Sequence, residues 1–178
     1  MATDLIIEDE REIKLKLDSY NDLFSDFDPR PYSVRALSED FLTEAKKASY
    51  EKEDIILNLM VPKEKRVIKD EIIIKKRLKQ HFSKHYYILN KKVRRKIIHN
   101  GELFISFGIF IMLIASIIMF KFPETNIITS FLIVLLEPAG WFLFWEGLNL
   151  IIFESKKTEP ELEFYRKMSN AKIIFSSY

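Results

Sequence analysis

Two long apolar stretches dominate the pattern of hydrophobic and polar positions along this chain. The first, Leu103 to Phe120, contains eighteen residues and no charged side chain. As a helix it would be about 27 Å long, close to the roughly 30 Å hydrocarbon core of a bilayer. The second runs from Ile127 to about Leu148, after the short polar link KFPETN. The pattern therefore predicts a transmembrane hairpin, with one helix over residues 102–121 and a second helix and cytoplasmic extension over 127–153.

A buried core helix is the alternative interpretation of the first stretch. It is disfavoured because a chain of 178 residues has little core with which to surround such a helix on all sides.

The charges that flank the two stretches predict their direction. Two lysines, Lys156 and Lys157, follow the second stretch, whereas the link contains only Lys121. Five more basic residues directly precede the first stretch: Lys91, Lys92, Arg94, Arg95 and Lys96. The positive-inside rule then predicts a multi-pass protein of the cell inner (plasma) membrane, with both termini in the cytoplasm and the link outside. The basic residues are also suited to contact anionic lipid headgroups, with a solvated helix face as the simpler alternative.

Outside the apolar stretches, three short segments have the pattern of strands. Glu12–Leu17 alternates charged and apolar residues, Ile55–Val61 is mostly apolar and ends at a proline, and Lys172–Tyr178 closes the chain. A helix is expected after Ser38, and another over Glu159–Met168. With both termini on one side, these elements predict a small cytoplasmic α/β domain built from both ends of the chain. The predicted fold class is thus an α+β membrane protein.

Between the strands and the first apolar stretch, the chain has a helical pattern with many basic residues. Its apolar side chains recur at four- and seven-residue intervals, at Leu78, Phe82, Leu89, Val93 and Ile97. Five segments follow from these patterns: residues 1–66, the amino-terminal part of the cytoplasmic domain; 67–101, a basic juxtamembrane helix; 102–121 and 127–153, the two spans; and 154–178, the returning helix and strand.

Charge and composition support this division. Residues 1–62 contain 8 Lys and Arg against 15 Asp and Glu, whereas residues 63–99 contain 14 against 3. Such asymmetry indicates segments with different surroundings. No cysteine is present, which excludes disulfides and cysteine metal sites. The acidic amino terminus, MATDLIIEDEREIK, lacks the basic flank and apolar core of a signal peptide.

The second apolar stretch contains a carboxylate near its middle, within LLEPAGWFLFWEGL. Because a charge at the centre of a bilayer is costly, Glu137 is expected to be protonated, paired or in contact with water. It shares a helix face with Gly140 and Trp141, so we expect it to point into a helix–helix contact. One reading is a glutamate bonded to a neighbouring helix or to the carbonyl that Pro138 frees. The other is a role in conducting or sensing ions or protons.

Small residues at seven-residue spacing indicate where helices can approach closely. They are Gly140 and Gly147 on the second stretch, and Gly108 and Ala115 on the first. Glu146 lies nearer the cytoplasmic boundary, where solvation is the simpler explanation. Trp141 is expected to pack, and Trp145 to pack or to anchor the interface.

Two polar motifs resemble metal sites, and each has a simpler interpretation. Asp26 and Asp28 form a D-x-D pair that could bind a divalent metal, but aspartate before proline favours a turn, with Arg30 as an ion-pair anchor. His81 and His85 have the i, i+4 spacing of zinc ligands, yet no third ligand or H-E-x-x-H glutamate accompanies them. We therefore expect no metal, cofactor or nucleic-acid site.

Two stretches, LDSYNDLFSDFDPRPYSVRALSEDFL and LLEPAGWFLFWEGLNLIIFESKK, resemble those of a family of uncharacterised two-pass membrane proteins of prokaryotes. The architecture is also similar to that of the mitochondrial calcium uniporter pore family, which has a soluble α/β domain and a Glu-Pro in its second span. There the motif is W-D-x-x-E-P, and its carboxylates coordinate calcium. Here Ile133 and Val134 stand in place of the tryptophan and aspartate, which argues against calcium selectivity. The likeness implies an oligomeric protein that could form a pore.

These features predict a homo-oligomeric membrane protein whose cytoplasmic domain organises an assembly or binds a protein partner, without catalysis. The alternative is an ion- or proton-conducting oligomer with Glu137 lining the path. A membrane-associated enzyme that uses Asp26 and Asp28 is a third, weaker hypothesis.

Overall fold

A computed structural model of the chain describes residues 11–122 and 126–178. The amino-terminal segment 1–10 and the centre of the KFPETN link, residues 123–125, lie outside the described residues. The chain divides into two compact units. One contains the residues up to Tyr87 together with Glu161–Tyr178, and the other contains Ile88–Pro160.

The first unit is built on a three-stranded parallel sheet. Its strands are β1 (Glu12–Lys16), β2 (Ile56–Val61) and β3 (Lys172–Ser177), in the order β1-β2-β3. All three strands predicted from the sequence are confirmed, with ends that differ by at most one residue. Leu59 of β2 faces Leu15 of β1 and Phe175 of β3, so the last strand of the chain pairs with a strand more than a hundred residues earlier.

Three helices accompany the sheet. They are α1 (Glu39–Ala48), α2 (Ile68–Tyr87) and α5 (Glu159–Asn170); the last begins two residues before the unit boundary. Each buries one apolar face, as amphipathic helices on a sheet do. The fully buried side chains come from both ends of the chain and include Leu57, Leu59, Val61, Ile74, Leu78, Phe82 and Met168. Ser38 precedes α1 as expected, but its side chain makes no capping hydrogen bond.

A buried ion pair fixes the start of α2. Arg66 donates from Nε to Glu71 Oε1 at 2.8 Å and from Nη2 to Glu71 Oε2 at 3.1 Å. Tyr20 donates its hydroxyl to Glu71 Oε1 at 3.1 Å and accepts the Val67 amide at 3.0 Å. The hydrogen bonds from Arg66 lower the pKa of Glu71, so this buried carboxylate stays charged. Arg66 Nη2 also donates to the carbonyl of Phe175 on β3, which ties the helix to the sheet.

The second unit is a pair of long apolar helices, α3 (Arg95–Lys121) and α4 (Ile127–Asn149). Helical structure is continuous from Ile68 to Lys121, with no break at Asn100–Gly101, although residues Ile88–Arg94 form a π-helical segment. A second π-helical segment, Leu150–Glu154, follows α4.

A capping box starts α4. The Asn126 side chain accepts the Thr129 amide, and Thr129 Oγ1 accepts the Asn126 amide.

The described chain therefore contains two helices that are long and apolar enough to span a membrane. Their most apolar windows are only 11% and 6% buried, so the described residues do not enclose them as a core. Large apolar side chains cover their outer faces, among them Leu103, Phe107, Phe110, Ile117, Ile128, Phe131, Val134 and Phe142.

Candidate functional site

The contact between α3 and α4 is built from small residues. The buried residues of the two helices are Gly101, Gly108, Ala115, Gly140 and Gly147. Their seven-residue spacing is close to two helical turns, which keeps them on one face. Gly101 lies against Gly147, and Gly108 against Gly140, so the helices run antiparallel. Each helix thus uses its small-residue face within the same chain.

The backbones approach closely along this stripe. A methyl group added at Gly108 would lie 2.7 Å from the Gly140 carbonyl oxygen and 2.7 Å from the Phe144 amide nitrogen. One added at Gly147 would lie 2.6 Å from the Gly101 carbonyl oxygen. Because backbone atoms cannot rotate away, only glycine fits at these positions. The sequence analysis did not identify Gly101 as a contact residue, although its seven-residue spacing to Gly108 was a signal.

Glu137 lies outside this contact, and the expectation that it points into a helix–helix contact is wrong for the contact within the chain. It precedes Gly140 by three residues, which places it about 60° around the helix from the glycine stripe. Its side chain is exposed, and no hydrogen bond or ion pair joins it to another residue that the structure describes. Pro138 follows it inside the helix and lacks an amide hydrogen, so the Val134 carbonyl loses its usual helical donor.

The tryptophans lie on the outer surface with Glu137. Trp141 and Trp145 follow it at four-residue steps, are 54% and 53% exposed, and pack edge to face with a ring-centroid distance of 5.6 Å. Glu146 is half-buried and, like Glu137, has no polar partner among the described residues. The outward stripe Glu137–Trp141–Trp145 is therefore a surface with one carboxylate and two large aromatic side chains, and no residue within 11–122 or 126–178 covers it.

The basic residues before α3 are mostly exposed. Lys91, Lys92, Arg95 and Lys96 lie on the surface, whereas Arg94 is half-buried. The Nε atom of Arg94 is buried without a hydrogen-bond partner in the described chain. The exposed cations, rather than this buried nitrogen, are accessible to an anionic group outside the protein.

The segment with Asp26 and Asp28 forms a turn held by an ion pair. Asp28 accepts Nε and Nη2 of Arg30, both at 2.8 Å, and the Ala36 amide at 2.7 Å. The hydrogen bonds from Arg30 hold the pKa of Asp28 well below its usual range. The carboxylate is fully used within the loop, which agrees with the turn interpretation and with Arg30 as its anchor.

His81 and His85 lie on one face of α2 and stack with a centroid distance of 4.0 Å. His85 also stacks on Tyr165 of α5 at 5.1 Å, and its Nδ1 lies 2.9 Å from the His81 carbonyl oxygen. Within the part of the chain that the structure describes, no group of three metal-ligating side chains converges.

No protein-family model matches this chain, and no significant match is found among curated proteins or solved structures. The resemblances noted in the sequence therefore stay predictions, and the function is inferred from the geometry of the chain itself.

Proposed function

We propose that this chain is an integral membrane protein that assembles with copies of itself through the outward face of α4. In this proposal α3 and α4 cross the plasma membrane as a hairpin, with both termini in the cytoplasm. The uncovered apolar faces of the two helices and the basic residues that flank them support insertion. The exposed side chains of Lys92, Arg95 and Lys96 would contact headgroup phosphates at the inner surface.

The observation that carries the proposal is the exposed, unpartnered side chain of Glu137. It lies about 15 Å along α4 from Ile127 and about 18 Å from Asn149, near the middle of the helix. Placing an unpaired carboxylate at this depth among acyl chains would cost about 3 kcal/mol. Since the described residues offer no partner, the cost is relieved when a second copy covers the stripe Glu137–Trp141–Trp145.

The small-residue faces of α3 and α4 are buried against each other, so they are not available for a contact between copies. The large side chains of Trp141 and Trp145 would fill the contact between copies, and Glu137 would be hydrogen-bonded across it. The sheet-bearing domain then acts as a scaffold or as a binding surface for a cytoplasmic protein, with no reaction assigned to it.

An ion- or proton-conducting oligomer is the second candidate. The observation that favours it is the pairing of two oxygen groups on one outward surface, the Glu137 carboxylate and the Val134 carbonyl that Pro138 leaves without a donor. If copies surround an axis, these oxygens would line a polar path through the hairpins.

Matched variants of the full chain in lipid nanodiscs and liposomes test both candidates. We expect the wild-type protein to be oligomeric by mass measurement, and Glu137→Leu to dissociate it, because leucine can neither ionise nor hydrogen-bond. Glu137→Gln keeps the hydrogen bond and should stay oligomeric. Glu146→Leu is the control, and it should leave the mass unchanged.

A wild-type protein that stays monomeric at every protein-to-lipid ratio would contradict the proposal. Proton or cation flux that Glu137→Gln abolishes would favour the conducting oligomer over the scaffold.

The topology can be tested with single-cysteine variants, because the chain contains no cysteine of its own. Lys121→Cys should react with an impermeant maleimide in intact cells. Lys157→Cys should react only after the membrane has been permeabilised. The reverse result at either position would overturn the predicted orientation.

A further inference from the structure

An open cavity of about 600 Å³ lies in the sheet-bearing unit, and the proposed function assigns no role to it. Three helices and the loop before α1 line it. Its charged and polar lining consists of Glu39, Thr43, Lys46, Arg77, His81, His85, Glu161 and Tyr165. Leu37, Leu42 and Phe164 supply apolar surface. This volume is in the range of pockets that hold small organic molecules.

The cations of the cavity are not neutralised inside the described chain. Arg77 donates from Nε to the Arg35 carbonyl at 2.9 Å, which fixes its guanidinium and leaves the two Nη groups without a described partner. Lys46 is exposed and makes no ion pair with the described residues. A fixed guanidinium and a free ammonium that line the same cavity suit an oxyanion, phosphate above all.

His81, which also lines the cavity, has an unsatisfied ring nitrogen. Its Nε2 atom is buried and has no hydrogen-bond partner in the described structure, a condition that is costly for a polar group. Burial, with the nearby His85, Arg77 and Lys84, lowers the pKa of His81 to about 4, so the ring is neutral at pH 7. A neutral imidazole with its proton on Nε2 would donate to an anion oxygen placed against it.

His85 is already oriented by the protein. A backbone carbonyl can only accept, so Nδ1 of His85 carries the proton that is donated to the His81 carbonyl. His81 and Tyr165 both stack against its ring, with centroid distances of 4.0 Å and 5.1 Å. The hydrogen bond at Nδ1 and these ring contacts together hold His85 in place at the cavity.

The cavity also contains two carboxylates, Glu39 and Glu161, which have no ion-pair partner among the described residues. They lie near Tyr165, whose pKa burial and these two carboxylates raise. Carboxylates repel a bare phosphate, but they are strong acceptors for hydroxyl groups. A ligand with a phosphate and several hydroxyl groups would suit both sets: its phosphate would pair with the cations, and its hydroxyl groups would donate to the carboxylates.

We propose that this cavity binds a sugar phosphate, with the phosphate at Lys46, Arg77 and His81 and the sugar hydroxyls at Glu39 and Glu161. The apolar side chains of the lining would pack against the carbon skeleton. This inference concerns the sheet-bearing unit alone and does not depend on the proposed membrane assembly.

The three histidines of the chain provide a direct measurement. In full-length protein labelled with 15N at histidine, ribose 5-phosphate should shift the imidazole signals of His81 and His85. His99 belongs to α3 in the other unit and should be unaffected. Ribose and inorganic phosphate, added separately, should each bind at least about tenfold more weakly, because each satisfies only one set of groups.

Two variants and one matched control locate the phosphate. Lys46→Gln and Arg77→Gln should each raise the half-saturating concentration about tenfold or more, since each removes a charge-assisted contact. Lys47→Gln is the control: Lys47 is adjacent to Lys46 but lies outside the cavity, where it pairs with Glu44. Lys46 is exposed, so its replacement should not disturb folding.

Three results would overturn the proposal. Unchanged His81 and His85 signals at about 10 mM ribose 5-phosphate would show that the cavity does not bind it with a Kd near 1 mM. Equal weakening by Lys47→Gln would mean that the effect is general surface charge. Equal binding of ribose would remove the role of the phosphate.

Discussion

The close contact between α3 and α4 gives the sharpest prediction for stability. In Gly108→Ala the new methyl group would lie 2.7 Å from both the Gly140 carbonyl oxygen and the Phe144 amide nitrogen. A carbon atom normally stays about 3.3 Å or more from a carbonyl oxygen. Both neighbours are backbone atoms, so no side-chain rotation can relieve the overlap. The two helices must move apart locally by about 0.6 Å, the difference between these distances.

The expected loss of stability is the balance of two effects with opposite signs. Overpacking of a tight contact costs about 1–3 kcal/mol. Alanine favours a helix over glycine by about 1 kcal/mol, which acts in the other direction. We therefore expect a net loss of about 1–2 kcal/mol for Gly108→Ala, and a larger loss for Gly108→Val. Ser106→Ala on the exposed side of the same helix is the control, with a change within about 0.5 kcal/mol.

Unfolding of the full chain by SDS in mixed micelles, followed by tryptophan fluorescence, measures this loss of stability. Both tryptophans of the chain, Trp141 and Trp145, lie on α4 and are about half exposed. The double variant Gly108→Ala/Gly140→Ala should lose less stability than the sum of the losses in the two single variants, because the first methyl group already separates the helices. The reasoning is refuted if Gly108→Ala is as stable as the wild type, or if the two losses are fully additive.

Two further predictions concern the sheet-bearing unit and can be followed by circular dichroism during unfolding. Tyr20→Phe removes the hydroxyl that donates to Glu71 and accepts the Val67 amide, so we expect a loss of about 1–3 kcal/mol. Tyr50→Phe, at a side chain that is 83% exposed, should change nothing measurable, and an equal loss there would contradict the assignment. Asp28 has a folded pKa far below its unfolded value near 3.9, so its carboxylate stabilises the fold above about pH 4, and this contribution is lost as the pH falls further. Asp28→Asn should lower the Tm at pH 7 and flatten its decrease below pH 4; an unchanged pH profile would show that another group is responsible.

The sequence by itself determined the elements of this protein. The strands over residues 12–16, 56–61 and 172–177 and the two apolar helices lie where the local patterns predicted them. Alternating charged and apolar residues predict a strand, and a long uninterrupted apolar run predicts a long helix, because each signal is contained within one segment. The turn at Asp28 was also predictable, since aspartate before proline has a strong local preference.

Only the tertiary structure decided which faces meet. From the sequence, Gly108 and Gly140 could pack against another copy or against each other; with the link as short as KFPETN, they lie opposite one another within one chain. The contact between the backbones along that stripe is narrow, so Glu137, about 60° around the helix from it, lies on the outer surface. No pattern within α4 contains this information, because the other helix decides which face of α4 is covered.

The cavity of the sheet-bearing unit was likewise invisible in the sequence. Lys46, Arg77 and Glu161 come from three separate helices, and the last is reached only after the chain has passed through both apolar helices. Their convergence depends on β3 pairing beside β2, a long-range contact that local periodicity does not encode. Local physics therefore set what each segment became, and the packing of distant segments set which of their side chains lie together.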